Sequence, residues 1–193
     1  GLKLQKEDSA LSRRLRGDLF RIEQYVDMAM TYLRLDAETG DYVFKRQPLE
    51  PIVRGAVRKF AGEFIDRKLG LRLEPMENIV LTDEKWLSFI VEQLLSNALK
   101  YTPAGEISIY TQTPDTLVIR DTGIGIAPED LPRIFEKGFT GYNGRSDKKA
   151  SGIGLYLCKR VCDRLGHELS VESEPGKGTA VFLKLDRQEI GIE

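Results

Sequence analysis

Three glycine clusters and one helical face hold the residues that could handle phosphate. The clusters are Asp121-Thr-Gly123-Ile-Gly125-Ile126, Ser151-Gly152-Ile153-Gly154-Leu155 and Pro175-Gly176-Lys-Gly178-Thr179. Glycine lets a backbone turn sharply and bring its N–H groups close to a ligand. A helix N-terminus adds unpaired donors and the positive end of a dipole. Each cluster alone is better read as an ordinary turn, since turns need glycine anyway; all three in one small domain are harder to dismiss. Neither a P-loop nor a complete GxGxxG is present, so phosphate must be held another way. Gln93, Asn97 and Lys100 are spaced four and three apart, which puts them on one helix face. The carbonyl oxygen of an Asn among apolar neighbours can complete a Mg²⁺ shell together with phosphates and water. Lys100 can meet phosphate as a point charge, and Tyr101 offers a stacking surface. The plainer reading is a polar stripe on a helix, and for Asn97 taken alone it is the better one.

The composition narrows the rest. The chain has 193 residues, 29 Lys plus Arg against 30 Asp plus Glu, one histidine and two cysteines. That length can bury a real core in one domain with an appendage. A net charge of -1 without a dense basic stripe gives no reason to expect nucleic acid. One histidine excludes metal sites built from several imidazoles. Two cysteines cannot make a disulfide framework, and a reducing compartment is the default. Cys158 and Cys162, one helical turn apart, are read as buried core thiols rather than metal ligands. No apolar run approaches the roughly 20 residues of a membrane-spanning helix. A start at Gly1 without a signal segment is read as a trimmed chain.

These residues need elements to hold them. Leu15, Leu19, Ile22, Val26, Ala29 and Leu33 recur at three- and four-residue spacings, the seam of a coiled coil or helical bundle. One amphipathic helix cannot bury its own seam, so it must pack on the rest of the chain or on a second copy. A break is expected at Asp36–Gly40, which separates a segment 1–37 from a domain 38–193. In that domain a strand is expected at 42–47. A helix follows, with Pro48 and Pro51 bracketing its start and Ile52, Val53, Ala56, Val57, Phe60 and Phe64 on its inner face. Short strands at 69–73 and 78–81 precede a long helix from Asp83 to Tyr101, with Trp86, Phe89, Ile90, Leu94 and Ala98 inward. A hairpin turning at Pro114-Asp115, a helix over 152–165 and a final hairpin over 168–185 complete the order. The class is α+β, a two-layer sandwich of one mixed sheet under three helices, preceded by an amphipathic helix.

The order of the motifs is more specific than any of them singly. Asn97-Ala-x-Lys100-Tyr101, then DxGxGI, then Phe135 and Phe139, then Gly152-Ile153-Gly154-Leu155, then GxGT closely resembles the ATP-binding domain of bacterial sensor histidine kinases. The resemblance covers about residues 40–187. It implies the Bergerat ATP-binding fold, shared with gyrase, heat-shock chaperone and mismatch-repair ATPases, and ATP with Mg²⁺ as ligands. It further implies that Asp121 accepts from the adenine amino group and that Gly123, Gly125 and Ile126 shape the hinge beside it. Asn97 is the implied Mg²⁺ ligand, with Lys100 near phosphate and Tyr101 against adenine. Gly152, Ile153, Gly154 and Leu155 place backbone donors around the phosphates, and Thr179 lies by the adenine pocket. Phe135 and Phe139 anchor a lid over roughly 140–150, and Lys137, Arg145, Lys148 and Lys149 are candidate phosphate contacts.

In the hydrolysing relatives a Glu four residues before the metal-binding Asn activates water. Here that position is Gln93, which cannot take up a proton, and the neighbouring Glu92 points about 100° away around the helix. The expectation is phosphate delivery rather than hydrolysis, with Gln93, Asn97 and Lys100 as the catalytic set. The N-terminal helix resembles the second helix of the kinases' dimerisation hairpin. Its Leu19–Val26 segment looks most like the intramembrane-sensing kinases of envelope stress. The hairpin's first helix carries the phosphoaccepting histidine. No histidine precedes Ser9, and Leu2–Gln5 is read as that helix's tail. His167 follows the last helix and is read as a structural turn residue. A homodimer through the hairpin, a response regulator as partner and membrane contact only through upstream segments follow from the resemblance, which makes this a cytoplasmic domain. The rival readings are an ATPase of the same superfamily and a degenerate, non-catalytic binding module.

Overall fold

The computed structural model describes residues 2–36, 42–141 and 151–185. Two compact units are present, residues 1–40 and 41–193. The first is a single helix, α1 (Leu2–Asp36). Leu15, Leu19, Ile22, Val26 and Leu33 of its seam are all exposed, Leu19 at 64%. The expected break at Asp36–Gly40 falls mostly outside the described residues.

In the second unit the order is β1 (Lys45–Pro48), α2 (Leu49–Arg67), β2 (Gly70–Leu73), β3 (Ile79–Thr82), α3 (Glu84–Tyr101), β4 (Glu106–Thr113), β5 (Thr116–Asp121), α4 (Gly154–Leu165), β6 (Glu168–Glu174) and β7 (Gly178–Lys184). A 3-10 turn, Leu131–Arg133, lies between β5 and α4. The strands form two sheets rather than the single one expected. β1 and β3 make an antiparallel pair of their own, and five strands run in the order β2-β4-β5-β7-β6. β2 is parallel to β4, and all other neighbours are antiparallel. A parallel pair needs a crossover, which β3 and α3 supply. The separation of β1 and β3 was invisible to periodicity, because a four-residue strand carries no mark of its partner.

Residues 42–44 precede β1 without joining a strand. Asp83 holds this approach: its Oδ1 caps α3 by accepting from Trp86 N–H, while its Oδ2 accepts from Val43 N–H at 2.8 Å. The Tyr42 ring lies 5.5 Å from that of Trp86. Burial of its phenol pushes the Tyr42 pKa up, opposed by the Arg164 charge. α2 starts directly after Pro48, whose extended ψ of 135° turns the chain into the helix without a side-chain cap.

The core lies between the three helices and one face of the larger sheet. Leu87, Ile90, Val91, Leu95 and Leu99 of α3 and Ile107, Ile109 and Leu117 of the sheet are each essentially inaccessible. Phe89 is only half-buried, one step off the centre of that face. Cys158 and Cys162 are both free and fully enclosed. Burial raises both thiols, Cys162 to about 12, so they pack as small apolar groups. His167 is buried where α4 turns into β6, its Nε2 2.9 Å from Thr82 Oγ1. It is a turn residue, as its position after Gly166 implied.

Candidate functional site

Asp121 closes β5, paired with Ile107 of β4 on one side and Thr179 of β7 on the other. Ser173 of β6 pairs with Thr179 in turn. Directly opposed residues project from the same face of a sheet, so Asp121, Thr179 and Ser173 form one row. The Asp121 carboxyl is buried. Its Oδ1 accepts from Gly123 N–H at 2.8 Å and from Thr179 N–H at 3.3 Å. Burial raises its pKa, opposed by these two backbone donors and by the Thr102 hydroxyl. That hydroxyl lies beside the carboxyl but outside hydrogen-bond geometry.

The loop after Asp121 folds back on two neighbours. Ile124 N–H donates to the Tyr101 carbonyl at 3.0 Å, at the C-terminal end of α3. Ile124 O accepts from Gly176 N–H at 2.8 Å, which ties the first glycine cluster to the third. Two glycines are obligatory here. Gly125 has φ 72°, and a Cβ on it would stand 2.1 Å from Glu174 O. Gly178 has φ 99°, and its Cβ would stand 2.0 Å from Asp121 O.

The two other sides of the site come from α3 and α4. Gln93 is buried and its Oε1 faces Gly154, 3.1 Å from where a Cβ would be. Asn97, one turn on, is half-buried. Its amide oxygen is of the kind that could join the shell of a hard cation. The Lys100 ammonium lies 5.2 Å from the centre of the Tyr101 ring. α4 begins at Gly154 with no side-chain cap, and its first N–H groups are donors without helical partners. The helix runs twelve residues, Gly152, Ile153 and Leu155 are half-buried around its start, and Gly152 O accepts from Gly138 N–H at 3.0 Å. Phe135 is half-buried while its neighbour Ile134 is the buried anchor. The Arg133 guanidinium covers the Phe139 ring at 4.5 Å, and Lys137 is exposed. Arg145, Lys148, Lys149 and most of the expected lid lie outside the described residues. Glu92 is turned away from this face and pairs with Lys59 of α2 at 2.6 Å.

Two residues that sequence reasoning passed over hold this arrangement together. Ser173 Oγ joins Ile126 N–H, Gly178 O and the Thr179 hydroxyl, each within 2.9 Å. Counting back across the Pro175–Lys177 turn would have paired it with Thr179. Arg67, the last residue of α2, donates to the Leu99 and Thr102 carbonyls, the latter at 2.8 Å. It thereby caps the end of α3 that carries Tyr101, and no local signal marks it. Replacing Arg67 by Ala should cost about 1–3 kcal/mol, the range for hydrogen bonds to a charged donor and for a cation at a helix C-terminus. Lys should recover only part, since it lacks the planar fork. Urea unfolding, followed by the single tryptophan, measures both.

A mixed sheet under three helices, with an acidic strand end enclosed by glycine turns and an uncapped helix start, defines a nucleotide-binding ATPase fold. Residues 82–189 match the family of histidine kinase-, DNA gyrase B- and HSP90-like ATPases, and the chain belongs to it. The sensor protein BceS of Halalkalibacterium halodurans is 37% identical over 185 residues, 94% of this chain and 55% of its own. The sensor histidine kinase GraS of Staphylococcus haemolyticus is 37% identical over 188 residues, 95% and 55%. The chain thus spans a little over half the length of these relatives. Full-length ShkA, solved in complex with AMPPNP, superposes with a TM-score of 0.72 at 22% identity, over 93% of this chain and 38% of that one. The histidine kinase AdeS of Acinetobacter baumannii gives 0.70 at 18%, over 93% and 85%. At these identities the structural likeness is one of fold.

Proposed function

We propose that the chain is the ATP-binding catalytic part of a two-component sensor histidine kinase, which moves the ATP γ-phosphate to a histidine for relay to a response regulator. The observation that carries the reading is the buried Asp121 carboxyl. Its Oδ1 is occupied by two backbone donors, which leaves Oδ2 to accept from the adenine amino group. The open N-terminus of α4 lies where a phosphate would find N–H donors. Mg²⁺ would arrive with ATP as part of the substrate, and Asn97 would supply a protein oxygen suited to it. The metal would neutralise developing charge on the phosphates. This chain's own residues orient the nucleotide, and Lys100 places a cation beside its phosphates.

Delivery rather than hydrolysis is favoured because Gln93 cannot act as a base and Glu92 is paired with Lys59. The exposed α1 seam supports α1 as the second helix of a dimerisation hairpin, mated with a second copy. The parent would then be a membrane-anchored sensor of envelope stress with this part in the cytoplasm. The only histidine of the 193 residues is His167, which is buried. Incubated with Mg-ATP, the chain should therefore bind nucleotide yet acquire no acid-labile phosphate. Labelled ATP followed by an acid quench checks this. Phosphohistidine on the chain would overturn the expectation that His167 is no acceptor, and steady phosphate release at an enzymatic turnover would overturn the kinase assignment in favour of an ATPase.

A further inference from the structure

Ser173 lies in β6, outside every glycine cluster, yet it decides where a proton points in the site. A serine hydroxyl has one proton and two lone pairs. Ser173 Oγ lies 2.8 Å from Gly178 O, a pure acceptor, so its proton goes there. Ile126 N–H, a pure donor, takes one lone pair at 2.8 Å. The third contact, 2.9 Å to Thr179 Oγ1, must then be made with Thr179 as the donor. The Thr179 proton is committed to Ser173, and only lone pairs of Thr179 Oγ1 remain for anything else.

We infer that Ser173 is a positioning residue for base selection: it fixes Thr179 as an acceptor beside the Asp121 carboxylate. The inference rests on the adenine-site reading above. Asp121 and Thr179 are adjacent in one row on one sheet face, so these two side chains offer a base acceptors only. An amino group, which brings two donors, matches such a pair. A carbonyl at the same place brings only lone pairs and is rejected twice. Without Ser173 the Thr179 hydroxyl can rotate and donate, and one of those two rejections disappears.

The test titrates ADP and inosine diphosphate, whose base carries a carbonyl where adenine has its amino group, into the full chain by calorimetry. The wild-type chain should prefer ADP. Ser173→Ala should narrow that preference about three- to tenfold, the worth of one ordinary hydrogen bond. Ser173→Thr keeps the hydroxyl and should restore it. An unchanged ratio in Ser173→Ala, including equal weakening of both nucleotides, overturns the proposal and reduces Ser173 to a structural strut. If Ser173→Ala does not fold, Thr179→Val decides: it removes the acceptor while keeping the shape, and an unchanged ratio again overturns the proposal. A wild-type chain that binds neither nucleotide would instead sink the adenine-site reading itself.

Discussion

Asp121→Asn should abolish adenine-nucleotide binding and leave the fold intact. The asparagine oxygen can still accept from Gly123 and Thr179 N–H, so the loop keeps its two anchors. Its amide nitrogen then faces the adenine amino group, donor against donor. Losing a charge-assisted acceptor and leaving a buried donor unmet should cost affinity roughly 100-fold or more. The ligand-free chain should not suffer equally. Because burial raises the Asp121 pKa, the folded state favours the protonated carboxyl. That contribution is fully present below the ordinary aspartate range and lost as pH rises through the raised folded value. At neutral pH the ionised carboxylate is therefore a burden on the empty site, and a neutral Asn relieves it. Thermal unfolding should show a midpoint within about 4 °C of wild type without ligand. ADP should raise that midpoint in the wild type only. In the wild type, ADP affinity should stay level through neutral pH and weaken as pH falls into the raised carboxyl range, because protonation removes the acceptor. A variant that still binds ADP with wild-type affinity would remove the central support for the site.

Gly178→Ala should be far more damaging than Gly176→Ala, although the two residues share one turn and both have positive φ, 99° and 78°. At Gly176 nothing lies within 4 Å of a new Cβ. The variant therefore carries only the left-handed backbone penalty, about 1–2 kcal/mol. At Gly178 the Cβ would meet Asp121 O at 2.0 Å, Asp121 C at 2.9 Å and the Thr122 Cα at 2.9 Å. These are backbone atoms of β5 and its exit, and no rotamer change can clear them. The pairing of β5 with β7 would have to part beside Asp121. A loss above about 3 kcal/mol is expected, in the range reserved for overpacking and backbone strain. Urea unfolding of the two variants side by side measures the difference. Equal stabilities would mean that the close approach of the turn to β5 is not real.

Much of the site was legible because each motif is local. The DxGxGI and GxGT clusters report turns whose backbone demands glycine wherever they occur, and the spacing of Gln93, Asn97 and Lys100 follows from the helical period. The capping of α3 by Asp83 was likewise readable, since a cap acts within three residues. The hydrogen bond from Val43 to the other Asp83 oxygen was not, because it spans forty positions of chain. The same limit hid Arg67, which reaches Leu99 and Thr102 from another helix. It also hid the anchoring by Ile134 of a turn where the aromatic neighbours draw the eye.

By itself, then, the sequence determined the α+β class, the order of elements and the family to which the chain belongs. It also named the residues of the candidate site. Periodicity, turn chemistry and motif order all act over short chain distances. Tertiary structure alone decided that the strands divide into two sheets and that β2 runs parallel to β4. It placed Asp121, Thr179 and Ser173 in one row. Register is a relation between strands far apart in the chain, fixed by which faces can be buried together. The direction of the Thr179 proton depends on three contacts that meet only once that register is set.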